Sequence, residues 1–100
     1  MNDLQIRQGT VYRKLSDDSK FILINHNPMQ LQSLLLRWNG EIWDCALPEL
    51  IDVDTLIAIR KSGEFEECGD IPEAEFKALV ETLLAAGSLP EDHRVLVEKL

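Results

Sequence analysis

One hundred residues, 45% of them hydrophobic and 28% charged, suffice for one core and are too few for two. With only 5 Gly and 4 Pro the chain lies outside the collagen-like and low-complexity classes. A formal net charge of −8 at pH 7 opposes direct binding to nucleic acid or to an anionic membrane leaflet, since both require Lys and Arg to displace counterions.

The amino terminus, Met1 to Gln8, alternates polar with apolar residues and lacks the apolar stretch and small-residue cleavage site of a secretory signal. The expected location is therefore cytoplasmic. Leu4 to Gln8 has the alternation of a short strand before Gly9. Thr10 to Asn25 holds two β-rich runs, TVYRKL and KFILIN, around the polar cluster Ser16 to Ser19. Ser and Asp side chains bond their own backbone in turns, so this segment is predicted to form an antiparallel β-hairpin.

Asn27 before Pro28 is the pattern of a helix N-cap followed by proline at the first helical position. Leu31, Leu34, Leu35 and Trp38 recur at helical spacing, and Asn39-Gly40 supplies a left-handed stop, so a central helix is predicted from Pro28 to Trp38. Glu41 to Leu50 fits a strand, a short helix or a packed loop, and Pro48 interrupts each. Ile51, Val53, Thr55, Ile57 and Ile59 alternate with polar residues as a strand would, although Asp54 also fits the cap of a two-turn helix ending before Gly63. A tight turn at Lys61 to Glu64 would then return Phe65 to Cys68 as the partner in a second hairpin.

Gly69-Asp70-Ile71-Pro72 punctuates the chain, after which Phe76, Leu79, Val80, Leu83 and Leu84 follow one helical face up to the cap residue Gly87. Ser88 to Glu91 starts a last helix with Leu96, Val97 and Leu100 as its apolar contacts. The expected architecture is a single α+β domain over residues 1–100: an N-terminal antiparallel hairpin, a central helix, a possible second hairpin and two C-terminal helices.

Charge is unevenly distributed. Residues 1–40 carry five bases against three acids, a balance of +2, whereas residues 41–100 carry five bases against fifteen acids, a balance of −10. Glu64, Glu66, Glu67, Asp70, Glu73 and Glu75 follow one another with no intervening base, and Glu41, Asp44, Glu49, Asp52 and Asp54 form a second such stretch. Gathered on one face, these carboxylates would steer a basic partner. Scattered, they would serve as a solvated surface and as complements to helix dipoles. Trp43 has no place on an amphipathic face and is the candidate aromatic anchor.

Signatures of catalysis are missing. The chain has no G-x-S-x-G elbow, glycine-rich phosphate loop or H-E-x-x-H pair, and no spacing selects one carboxylate pair for acid–base work: Glu66 and Glu67 alternate faces if extended, and Asp52 and Asp54 fit solvent-side alternation. His26, beside Asn25 and Asn27, is expected to bond locally at a strand-to-helix corner. His93 is likewise isolated, and Cys45 and Cys68 are expected to be free thiols, so neither a metal site nor a cofactor is anticipated. The expected function is non-catalytic. The acidic residues Asp52, Asp54, Glu64, Glu66, Glu67, Asp70, Glu73 and Glu75, with Trp43, would bind a basic protein surface, such as that of a nuclease or another nucleic-acid-binding protein. The alternative is a peptide-recognition adaptor, adding a partner strand at the open edge of the N-terminal hairpin or using a winged-helix-like groove.

Overall fold

The hairpin predicted near the amino terminus is the middle of a larger sheet. A computed structural model describes residues 8–27 and 29–99; the strand expected at Leu4 to Gln8 lies almost wholly outside them. Strands β1 (Thr10–Lys14) and β2 (Lys20–Asn27) pair antiparallel, Val11 opposite Ile22 and Arg13 opposite Lys20. Their turn is closed by Asp17 Oδ1, which accepts from Ser19 N at 3.0 Å, with Asp18 in the left-handed region. Strands β3 (Gln32–Arg37), β4 (Glu49–Asp52) and β5 (Phe65–Asp70) complete an all-antiparallel sheet in the order β4-β3-β2-β1-β5. Helices α1 (Val53–Ser62), α2 (Glu73–Ala86) and α3 (Glu91–Glu98) cover it.

The central helix expected from Pro28 to Trp38 does not form over the described residues 29–38: Leu34 and Leu35 lie in β3, while Leu31 stands in the preceding turn at φ 53°, 64% exposed. Leu34 and Leu36 join Ile22, Ile24, Val80, Leu83 and Val97 on one side of the sheet. Leu35 joins Tyr12, Leu23 and Leu56 on the other. A strand with helices on both faces reads as an unbroken apolar run, which over so short a stretch also fits a helical face. The polar signals were real but served turns. Asn27 Oδ1 accepts from Met29 N at 3.0 Å and Gln30 N at 3.3 Å, the bonds of a cap, in a loop between two strands. Asn39 Oδ1 accepts from Glu41 N at 2.9 Å and Ile42 N at 3.0 Å in the turn that joins Trp38 to Trp43 through an isolated antiparallel bridge.

The strand favoured over Ile51 to Ile59 ends at Asp52, and the helical alternative holds from Val53 to Ser62, closed by Gly63 at φ 78°. Asp52, not Asp54, occupies the N-cap position, and its side chain makes no capping bond. Val53, Leu56, Ile57, Ile59 and Arg60 are the partly or fully buried residues of this helix, and Val53, Leu56, Ile57 and Arg60, at i, i+3, i+4 and i+7, mark its inward face. The second hairpin is also corrected. Phe65–Asp70 is a strand, but helix α1 intervenes and β5 pairs with β1 at the sheet edge opposite β4. Gly69, at φ 92°, lies where the β1–β5 register shifts.

The two C-terminal helices agree with expectation, the contact expected from Leu100 lying outside the described residues. Helix α2 ends at Gly87, at φ 66°, whose N–H donates to Leu84 O at 3.3 Å. His93, one turn before Val97, enters the core at 1% exposure. A register shift between Leu23 and Asn25 in β2 sets Asn25 opposite Leu34, on the α2–α3 side. His26 lies inside β2 rather than at a strand-to-helix corner, with its Nδ1 3.5 Å from Ser33 Oγ across the pair. Asn25 is 2% exposed, and its side-chain amide has no hydrogen-bond partner among the described residues; the same is true of His93 Nδ1. His93 Nε2 lies 3.4 Å from Gln32 Oε1.

Two outcomes follow from this packing. Leu83→Ala, at a fully buried position, should cost about 2–5 kcal/mol in chemical denaturation, while Leu47→Ala, 70% exposed, should stay within about 0.5 kcal/mol. Burial holds the His93 pKa below its ordinary 6.5, and neighbouring Asp92 only partly opposes this. The unfolded chain therefore takes up a proton first. The stability due to neutral His93 is complete above pH 6.5 and falls with acidification between that value and the lower folded pKa. Thermal melts of wild type from pH 7.5 to 5 should show this loss, and His93→Gln should flatten it.

Candidate functional site

The sheet order separates the carboxylates that the sequence places in series. Asp52 ends β4 and Asp54 opens α1, whereas Glu64, Glu66, Glu67 and Asp70 lie in or beside β5 at the other edge. Four strand spacings, about 19 Å, lie between those edges. Nor are the β5 acids all unopposed. Arg13, opposite Glu66 in the register, donates to its Oε2 from Nη2 at 2.7 Å and Nε at 3.2 Å, and reaches Asp18 at 2.7 Å. These two carboxylates, Glu66 first, raise the Arg13 pKa above its ordinary value. Arg60 Nη2 of α1 is 3.8 Å from Glu67. Across the sheet, Arg37 holds Glu49 through two bonds at 2.6 and 3.1 Å, which lowers the carboxylate's pKa against its burial. A base from the first forty residues thus faces Glu66, and another faces Glu49.

A different subset does converge. Asp70, Glu73 and Glu75 fall around the amino-terminal end of α2, and an apolar groove runs along each flank of that helix. Asp70 accepts from Thr10 Oγ1 at 2.8 Å. Glu73 lies 3.8 Å from Lys77 one turn on, while Glu75 has no ion pair or side-chain hydrogen bond among the described residues. Both glutamates sit in the first turn, where the helix dipole favours anions.

The first groove, about 550 Å³, has Ile71, Phe76, Val80, Leu84 and Val97 as its apolar lining. Asp70, Glu73, Glu81 and Glu98 lie on it with Lys77. Gly9 forms part of its wall at φ 83°, and a Cβ there would stand 3.5 Å from the Phe76 ring.

The second groove, about 440 Å³, runs between α2 and the segment that follows β3. Trp38, Ile42, Trp43 and Cys45 form one wall, Ala78, Leu79 and Thr82 the other, with Glu41 and Glu75 among the lining. Its wall is fixed by local bonds. Asp44 N donates to Arg37 O at 2.9 Å, and Ser88 Oγ, from the α2–α3 connection, donates to Cys45 O at 2.9 Å. The Trp38 and Trp43 rings meet edge to face, centroids 5.1 Å apart at 70°, and Lys20 Nζ lies 5.5 Å from the Trp38 centroid. Ile42 stays 63% exposed beside them.

Trp43, singled out as an anchor, is therefore brought together with Glu75. Glu41, Ile42, Phe76, Glu81 and Glu98 join the grooves without having been selected from sequence. For Glu81 a signal existed, because Glu73, Lys77 and Glu81 repeat every four residues along one helix flank. Trp38 belongs to the groove rather than to a helical leucine face. No three His, Cys, Asp or Glu residues are grouped to hold a metal ion among the described residues. Nor is any helix among them long and apolar enough to cross a membrane. Comparison with protein-family models, curated proteins and solved structures finds no match to this chain.

The two thiols differ in a way that reports on the second groove. Cys68 is exposed, whereas Cys45 is buried and its pKa is raised, by burial first and by neighbouring Asp44 second. Ellman's reagent at neutral pH should modify Cys68 promptly in the native protein. Cys45 should react at a rate lower by tenfold or more, on the order of the rate of local opening. Comparable rates would mean that this wall is not held in place.

Proposed function

We propose that this chain is a non-catalytic cytoplasmic binding protein that docks on a basic surface of a partner protein, in the manner of an inhibitor, immunity protein, antitoxin or nucleic-acid mimic. One observation carries the reading: among the described residues, the two apolar grooves flanking α2 are lined by six carboxylates, Glu41, Asp70, Glu73, Glu75, Glu81 and Glu98, against the single base Lys77. Apolar surface supplies the desolvated centre that gives an interface its affinity. The surrounding acids select and steer a cationic partner. The docking face is narrower than the whole run of acidic residues. It centres on α2 with Asp70, Glu73, Glu75 and Trp43, while Asp52, Asp54, Glu64, Glu66 and Glu67 contribute to the long-range field.

The adaptor reading finds less support. Both edges of the N-terminal hairpin are occupied, β1 by β5 and β2 by β3, so an added strand would have to pair with β4 or β5. In β5, Glu66, Glu67 and the irregularity at Gly69 are features that discourage edge pairing.

Affinity capture from the native host at low and high salt, followed by association kinetics with the captured partner, tests the proposal. The partner should be basic where it contacts α2, and its association rate should fall steeply with salt. Glu73→Lys with Glu75→Lys should slow association about tenfold at low salt. An association rate unchanged by this double substitution would rule out docking through α2.

A further inference from the structure

The second groove carries a more specific reading, which rests on α2 being the docking face. Its two indoles lie beside Glu41 and Glu75, and no Lys or Arg lines it among the described residues. Trp38 already has a cation near it, Lys20 Nζ at 5.5 Å from its centroid. Trp43 has no such cation among the described residues, although it lines the same space. Glu75 is likewise without a counter-ion there. Aromatic surface, carboxylate and an apolar wall from Ile42, Ala78 and Leu79 together make a site for a side chain with an apolar stem and a cationic, planar end.

We propose that the groove between α2 and residues 38–45 takes an arginine side chain of the partner, its guanidinium against Trp43 and its charge met by Glu75 and Glu41. Arginine suits this site better than lysine for two physical reasons. Its planar, weakly hydrated cation stacks on an aromatic ring, whereas an ammonium holds its water more strongly. Its fork of N–H donors also reaches a carboxylate while the plane stays against the ring. At about 440 Å³, the groove accommodates the side chain together with part of the backbone that bears it.

The test uses the full chain labelled with ¹⁵N, titrated at low salt with an acetylated, amidated tri-arginine peptide and with the tri-lysine peptide of equal charge. Tri-arginine should shift the Trp43 indole N–H resonance saturably and bind more tightly than tri-lysine by about two- to fivefold. Glu75→Gln, at an exposed position, should weaken tri-arginine by a similar factor. Glu91→Gln, which removes an equal charge from α3 outside both grooves, should not. Equal, salt-sensitive binding of both peptides with no response at Trp43 or to Glu75→Gln would overturn the arginine anchor and leave docking by the acidic face standing. If neither peptide bound at low salt, both readings would fail.

Discussion

Leu34, Leu35 and Leu36 are buried on alternating sides of one strand, so β3 is stable only while helices cover both faces of the sheet. That constraint places the other elements. Helix α1 must cover one face and α2 with α3 the other, and because α1 follows β4 directly, its passage carries the chain from one sheet edge to the opposite one. The separation of Asp52 from Glu66 and Glu67 is a direct consequence.

Covering both faces also explains why the acidic residues behave as three populations. Those on β5 meet Arg13 across a strand pair and Arg60 from α1, so part of their field is neutralised locally. Asp52 and Asp54 flank the β4–α1 junction. Asp70, Glu73 and Glu75 collect where the chain leaves β5 to begin α2, beside the two apolar grooves that flank that helix. A charged rim around a desolvated centre is a better basis for recognition than a broad anionic surface, because exposed ion pairs alone are weak and screened by salt.

Polar groups inside the α2–α3 layer give the fold a second character. The register shift in β2 turns Asn25 toward that layer, and His93 enters it from α3. Both are buried with atoms that have no partner among the described residues, which costs more than an apolar side chain would at the same place. The α3 contact therefore carries a buried titratable side chain, whereas the α1 contact is made through Leu56.

Sequence alone determined the elements whose signals are local. The Thr10–Asn25 hairpin has turn residues between two β-rich runs, and α2 has a five-residue apolar face followed by Gly87; neither needs a distant partner to be recognised. It also determined that acidity is concentrated after residue 40 and that Trp43 is an unaccounted aromatic. Tertiary structure decided the rest. Asn27 and Asn39 bond the same backbone donors in a turn as at a helix N-terminus, so their presence could not distinguish β3 from a helix. Three adjacent leucines fit either one helical face or a strand covered on both sides, and only the arrival of α1, α2 and α3 selects between them. Sheet order likewise depends on where α1 delivers β5, a long-range placement that local sequence signals do not encode, and it is that placement which separates the acids.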